Sequence, residues 1–149
     1  MSNWVYNEGT IMCSNSNTAE KFFYVAKAGE LFNYIKPLPC ELFINGITGR
    51  ICEESSLDWR VENWDSKYDI FFCNGSLNNE IVELAFQTPW SPPFKAFETL
   101  FDRDDVISVE MKFDSLEMGF YGSWINGESI RHEYDLGDFS DKPDQVDPF

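Results

Sequence analysis

The chain has 149 residues and a formal charge of −15 at pH 7, from 26 Asp and Glu against 11 Lys and Arg. A surface of one sign repels nucleic acid and anionic membranes and attracts basic partners. Aromatic residues make up 17% of the chain, which excludes the disordered class that acid-rich sequences without aromatic residues form. We therefore expect a folded domain that carries its acidity on the outside.

The start of the chain and its cysteines predict a protein of the host-cell cytoplasm. The opening residues Met1 to Trp4 lack the basic start and apolar run of a signal peptide. Four cysteines are spread along the chain without a C-x-x-C pair: Cys13, Cys40, Cys52 and Cys73. We expect them to be free thiols, and we expect no metal or cofactor because His132 is the only histidine.

A strand and a helix are predicted first. Residues Trp4 to Cys13 are rich in β-formers, and Asn17 or Thr18 is placed to cap the helix that follows. Apolar residues then recur at helical spacing: Ala19, Phe22, Phe23 and Ala26. The segment from Lys36 to Lys67 is irregular, with a short helix predicted from Glu53 to Asp58, and its aromatic residues predict that it packs against the domain.

A hairpin and a second helix are predicted next. Strands from Asp69 to Cys73 and from Ile81 to Gln87 are expected to flank a turn at Asn74-Gly75. Ser91, followed by two prolines, matches a helix N-cap, and the helix runs from Phe94 to Phe101.

A second hairpin follows, and the order of elements predicts the fold. Ile107 to Phe113 alternates apolar and polar residues, as a strand with one buried face does, and Met118 to Ile125 is its partner. The order β-α-β-β-α-β-β, with a long insertion before the second strand, predicts an α+β ferredoxin-like split β-α-β domain. Its antiparallel sheet would have both helices on one face.

Domain boundaries follow from composition. Residues 1–132 are predicted to form the domain, and residues 133–149 an acidic C-terminal tail because the hydrophobic pattern ends near Ile130. The tail is either a solvated end or an arm that binds a partner.

Several segments resemble the YubB-type ferredoxin-like domain family of small phage and plasmid proteins. The resemblance is carried by N-W-V-Y-N at 3–7, K-P-L-P-C-E-L at 36–42, N-W-D-S-K-Y-D at 63–69, F-Q-T-P-W-S-P-P at 86–93 and F-Y-G at 120–122. It implies the ferredoxin-like fold and an origin in a mobile element, and it implies no established reaction.

Two groups of residues are candidate sites. The acids Glu110, Asp114 and Glu117 flank the last predicted turn, where we expect them to face water and bind a basic partner. Three tail acids are assigned the same role: Asp138, Asp141 and Asp144. The second group combines aromatic planes with one cation, either as a ligand pocket or as a secondary core: Trp59, Trp64, Lys67 and Trp90.

Catalytic motifs are not found in the sequence, which contains no G-x-S-x-G, P-loop or G-x-G-x-x-G. We therefore expect a non-enzymatic phage or plasmid protein that binds and inhibits a host defence or nucleic-acid-processing protein through its negative surface. It would bind neither nucleic acid nor membrane directly. The alternatives are a nucleotide-like ligand or an enzyme reaction in the tryptophan pocket, and a homodimer through an exposed sheet edge.

Overall fold

The computed structural model describes residues 3–39 and 53–134. Within them, the helices are α1 (Ser16–Lys27), α2 (Leu31–Ile35), α3 (Glu53–Trp64) and α4 (Phe94–Phe101). The strands are β1 (Trp4–Cys13), β2 (Phe71–Asn78), β3 (Ile81–Pro89), β4 (Val106–Ser115), β5 (Phe120–Ile125) and β6 (Glu128–Glu133).

All six strands belong to one antiparallel sheet with the order β2-β3-β1-β4-β5-β6. The predicted α+β class and antiparallel sheet are therefore confirmed. The described residues contain one strand and one helix that were not predicted, β6 and α2, and α3 extends the short helix predicted from Glu53 to Asp58.

One face of the sheet is buried and the other is open. Along β1, Val5, Asn7 and Ile11 are buried while Glu8 and Met12 are exposed, because successive side chains of a strand point to opposite faces. The same alternation continues in β3, β4 and β5. Helices cover the buried face with their own apolar stripes: Ala19, Phe22 and Ala26 of α1, and Ala96, Phe97 and Leu100 of α4.

Two local predictions were wrong because a different asparagine supplies the turn or the cap. Strand β2 continues through Asn74-Gly75, and the hairpin turns at Asn79, whose φ of 56° lies in the left-handed region that asparagine tolerates. Helix α1 begins earlier than predicted, since the Asn15 side chain accepts a hydrogen bond from the Thr18 N–H at 2.8 Å.

One helix lies just before the segment predicted to be irregular and another lies within it. The short helix α2 begins where the Asp69 carboxylate accepts hydrogen bonds from the N–H groups of Phe32 and Asn33, both at 2.9 Å. That acceptor lies 37 residues from Phe32 along the chain, so local sequence patterns do not reveal the cap. Helix α3 is longer than the short helix predicted there and ends at Trp64, which packs into the core.

Strand β6 extends the sheet past the predicted end of the apolar pattern. The turn before it contains Asn126 and Gly127, both with positive φ (48° and 97°), which suits a tight hairpin. All six residues of β6 are exposed, so burial periodicity gives no sign of the strand. It includes Glu133, and the Tyr134 N–H donates to the Gly119 carbonyl at 2.8 Å, so the predicted boundary after residue 132 falls inside a strand.

Candidate functional site: the open face of the sheet

The strand registers arrange the side chains of the open face in rows that run across the strands. The row we call the acid row consists of Ser76, Glu83, Thr10, Glu110, Ile125 and Glu128. The row we call the tyrosine row consists of Phe71, Gln87, Tyr6, Asp114, Tyr121 and His132. Between them lies a middle row of Asn74, Ala85, Glu8, Lys112, Ser123 and Ile130.

The acid row spaces its carboxylates evenly. Glu83, Glu110 and Glu128 lie on alternate strands and are exposed. Because neighbouring strands are about 4.8 Å apart, these positions are spaced by about 10 Å. Exposed Glu8 adds a fourth carboxylate between the two rows, beside Lys112 on β4. The result is a regular negative surface on rigid strands.

Two open depressions flank the middle of this surface and share Glu8 and Thr10. The first, of about 450 Å³, also contacts Ser76 and Glu83. The second, of about 330 Å³, also contacts Glu110. Carboxylates and hydroxyls contribute to both linings, and the second depression also contains the Lys112 cation and the apolar side chain of Ile125.

The acids predicted to bind a partner have different surroundings. Glu110 lies in the acid row, and Glu117 is exposed in the turn between β4 and β5. Asp114 was predicted to face water, and that prediction was wrong: the residue is 3% exposed and accepts a hydrogen bond from the Tyr134 hydroxyl. The tail acids Asp138, Asp141 and Asp144 lie outside the described residues.

Three carboxylates of the open face were missed by sequence reasoning: Glu8, Glu83 and Glu128. Glu8 and Glu83 alternate with buried neighbours along β1 and β3, whereas Glu128 lies on β6, whose residues are all exposed. What brings Glu8, Glu83 and Glu110 together is the strand order, which places β1 between β3 and β4. The alternation within each strand, combined with the strand order of a split β-α-β fold, would have predicted that Glu8, Glu83 and Glu110 share one face.

The predicted tryptophan cluster separates into two pairs. Trp59 and Trp64 meet edge to face at 5.6 Å, and Trp64 is 3% exposed with its indole N–H donating to the Lys36 carbonyl. This pair is core. Trp90 is 50% exposed, and the Lys67 ammonium lies 5.6 Å from the centre of its ring. This second pair is open to solvent.

The backbone at Trp90 is in an unfavourable conformation. Its φ of 71° is rare for a bulky residue. The Trp90 N–H donates to the Asn3 carbonyl at 2.7 Å, and the Thr88 hydroxyl donates to the Ser91 carbonyl at 2.7 Å. Asn7, 1% exposed, donates in turn to the Thr88 hydroxyl. A buried hydrogen-bond network therefore holds the turn that presents Trp90.

Two of the segments that carry the family resemblance meet beside Trp90. The Asp65 carboxylate accepts a hydrogen bond from the Lys95 N–H at the start of α4. Burial raises the pKa of Asp65, an effect that this hydrogen bond and the Lys95 charge partly oppose. Arg60 donates to the Lys67 carbonyl at 3.0 Å, which fixes the loop that carries the Lys67 ammonium. We call Trp90, Lys67, Asp65 and Lys95 together the Trp90 corner.

The cysteine in β1 is unsuited to nucleophilic chemistry at neutral pH. Burial raises the pKa of the Cys13 thiol to about 11, and the nearby Asp105 charge adds to the effect. The thiolate is the nucleophilic form, so Cys13 stays a protonated core residue. Cys13 and Cys73 are free thiols, and Cys40 and Cys52 lie outside the described residues.

In residues 3–39 and 53–134, no three His, Cys, Asp or Glu side chains are grouped as a metal ion would require. No helix in that part of the chain is long and apolar enough to cross a membrane.

No protein-family model, curated protein or solved structure matches this chain.

Proposed function

We propose that this protein is a non-enzymatic binding protein whose open sheet face engages the basic surface of a protein partner. The observation that carries the proposal is the even row of exposed Glu83, Glu110 and Glu128 on rigid strands. Carboxylates at fixed spacing imitate the phosphates that a nucleic-acid-binding surface recognises, and a field of one sign accelerates encounter with a basic partner.

We also propose where the protein comes from and which kind of protein it acts on. A phage or plasmid protein of this charge would bind and inhibit a host defence or nucleic-acid-processing protein, because the nucleic-acid channel of such a partner is basic. The juxtaposition of residues 63–69 and 86–93 in the Trp90 corner supports a relation to the YubB-type family. The strand order β2-β3-β1-β4 supports the split β-α-β arrangement that goes with it.

Binding to a basic probe tests the proposal. We expect the full chain to bind a labelled oligolysine peptide, and binding should weaken as salt rises toward about 0.15 M, where the Debye length is about 8 Å. Labelled single-stranded DNA of equal length is the control and should not bind. Absence of oligolysine binding at low salt, or equal binding of the DNA, would contradict the proposal.

Matched variants test the location of the binding surface. The face variant replaces Glu8, Glu83 and Glu110 by Gln. The helix variant replaces three exposed glutamates of α1, α3 and α4 by Gln: Glu20, Glu62 and Glu98. Both variants change the net charge from −15 to −12, three charges each. Oligolysine affinity should fall more in the face variant.

The Trp90 corner supports a second candidate function, the binding of a small anionic aromatic ligand such as a nucleotide. The supporting observation is an exposed indole, held in an unfavourable backbone conformation, with Lys67 over its ring. The indole offers a stacking surface and the ammonium an anion contact. Calorimetric titration with a mononucleotide should give heat that Trp90→Ala abolishes, and the absence of heat with the wild-type chain would exclude this candidate.

A further inference from the structure

The tyrosine row adds a second type of contact to the open face. Tyr6 is 52% exposed and pairs in register with Asp114 on β4, which in turn pairs with Tyr121 on β5. The Tyr121 ring stacks on His132 at 5.1 Å and contacts the Tyr134 ring at 4.9 Å. One end of the open face therefore carries aromatic rings around a carboxylate.

One accessible carboxylate, that of Glu8, lies beside the exposed Tyr6 ring. Glu8 follows two residues along the same strand and on the same face, a separation of about 7 Å. Asp114 lies directly across on β4 but is buried and accepts the Tyr134 hydroxyl, so it adds negative charge beneath the surface and no direct contact. A cation that contacts the Tyr6 ring is therefore close to two negative side chains, and cations over aromatic rings are stabilised by the ring itself.

Guanidinium satisfies both contacts better than ammonium does. Its planar, weakly hydrated group stacks on an aromatic face while its edge pairs with a carboxylate in two hydrogen bonds. The chain combines these two contacts internally, since the Arg103 guanidinium lies 5.2 Å from the centre of the Phe22 ring and donates two hydrogen bonds to Asp105, at 2.9 and 3.0 Å.

We propose that the tyrosine row makes the open face selective for arginine over lysine, so that the partner presents an arginine-containing segment whose guanidinium stacks on Tyr6 and pairs with Glu8. This rests on the proposed function. It adds to that function the chemistry of the partner, an arginine side chain, and the residue that recognises it, Tyr6.

Two peptides of equal length and charge, oligoarginine and oligolysine, separate this selectivity from simple charge attraction. The ratio of their dissociation constants is measured with the wild-type chain, with Tyr6→Leu and with Tyr6→Phe. Stacking of a cation on an exposed ring corresponds to about a two- to fivefold affinity gain. We expect Tyr6→Leu to lower the preference for oligoarginine by that factor, to leave oligolysine affinity unchanged, and Tyr6→Phe to keep the preference.

Tyr24, which is 60% exposed on α1 and therefore on the covered side of the sheet, provides the matched control as Tyr24→Leu. That variant should leave the ratio unchanged. If the preference for oligoarginine is unchanged in Tyr6→Leu, the carboxylates alone cause it and the inference is wrong. Equal binding of both peptides to the wild-type chain would overturn it too, while the proposed function would stand. Binding of neither peptide would reject the proposed function itself.

Discussion

The hydroxyl of Tyr134 donates a hydrogen bond to the buried carboxylate of Asp114, and so joins the residue after the last strand to the tyrosine row. The Tyr134 N–H is fixed as well, by the Gly119 carbonyl. The end of β6 is therefore part of the folded sheet.

Removing that hydroxyl should destabilise the protein. In Tyr134→Phe the ring remains, but a buried carboxylate loses a donor, which costs about 1–3 kcal/mol. Urea unfolding followed by circular dichroism measures the change. The control Tyr24→Phe removes an exposed hydroxyl and should cost nothing measurable. Equal stability of the two variants would show that the Asp114 contact is energetically neutral.

Asp69 gives stability a defined dependence on pH. Burial raises the pKa of its carboxyl above the ordinary 3.8, although the N–H groups of Phe32, Asn33 and Ile70 partly oppose the shift. A raised pKa in the folded state means that folding favours the protonated form, so the contribution of Asp69 is complete below 3.8 and is lost as pH rises through the folded value.

The Asp69→Asn variant isolates this effect, because the other carboxyl groups titrate alike in both proteins. We expect the stability of wild type minus that of the variant to decrease as pH rises from acid toward neutral. A difference that stays constant, or that grows with pH, would contradict the raised pKa.

Gly122 in β5 has no room for a side chain. A Cβ there would lie 2.0 Å from the Ile130 carbonyl oxygen and 2.8 Å from the Phe113 ring. One of these neighbours is the backbone of β6, which cannot yield without breaking the pairing of the two strands. Gly122→Ala should therefore cost about 1–3 kcal/mol or more.

The control is Ala85→Gly on the exposed side of β3, which reports the ordinary cost of exchanging these two residues in a strand. The exposed turn glycine Gly119 is not a clean control, because its φ is 80°. An unfolding midpoint of Gly122→Ala equal to that of wild type would contradict the close approach of β5 and β6.

The turn at Trp90 should be more stable with glycine than with alanine. Both Trp90→Gly and Trp90→Ala remove the indole, but only glycine adopts a φ of 71° without steric cost. The difference in unfolding free energy should be about 1–2 kcal/mol in favour of glycine. Thermal or urea unfolding of the two variants measures this difference in free energy. An alanine variant as stable as the glycine variant would show that the backbone at Trp90 is not strained.

Much of the sheet could be predicted from the sequence because its signals are local. Alternation in β1 and β4 and helical spacing in α4 appear within a few residues, and those elements were found. Strand β6 was missed because none of its six residues is buried. Helix α2 was missed because its cap comes from Asp69, which is remote in sequence.

The candidate sites were harder to predict because they depend on which strands are neighbours. Glu110 was found from its own hairpin, whereas Glu8 and Glu83 join it only through the order β3-β1-β4. Asp114 was misjudged because its burial involves Tyr134, 20 residues further on. Trp64 and Trp90 look alike in sequence, and only the packing of α3 against the core separates them.

The association rate constant of oligolysine with the face variant and the helix variant is the most direct test of the central claim, that the open face receives the basic partner. Stopped-flow measurement at low salt compares two proteins with the same net charge, so only the position of the lost carboxylates differs. We predict that the face variant associates several-fold more slowly than the helix variant, and that this gap closes as salt is added. Equal association rates for the two variants at low salt would show that net charge alone attracts the peptide and would contradict the claim.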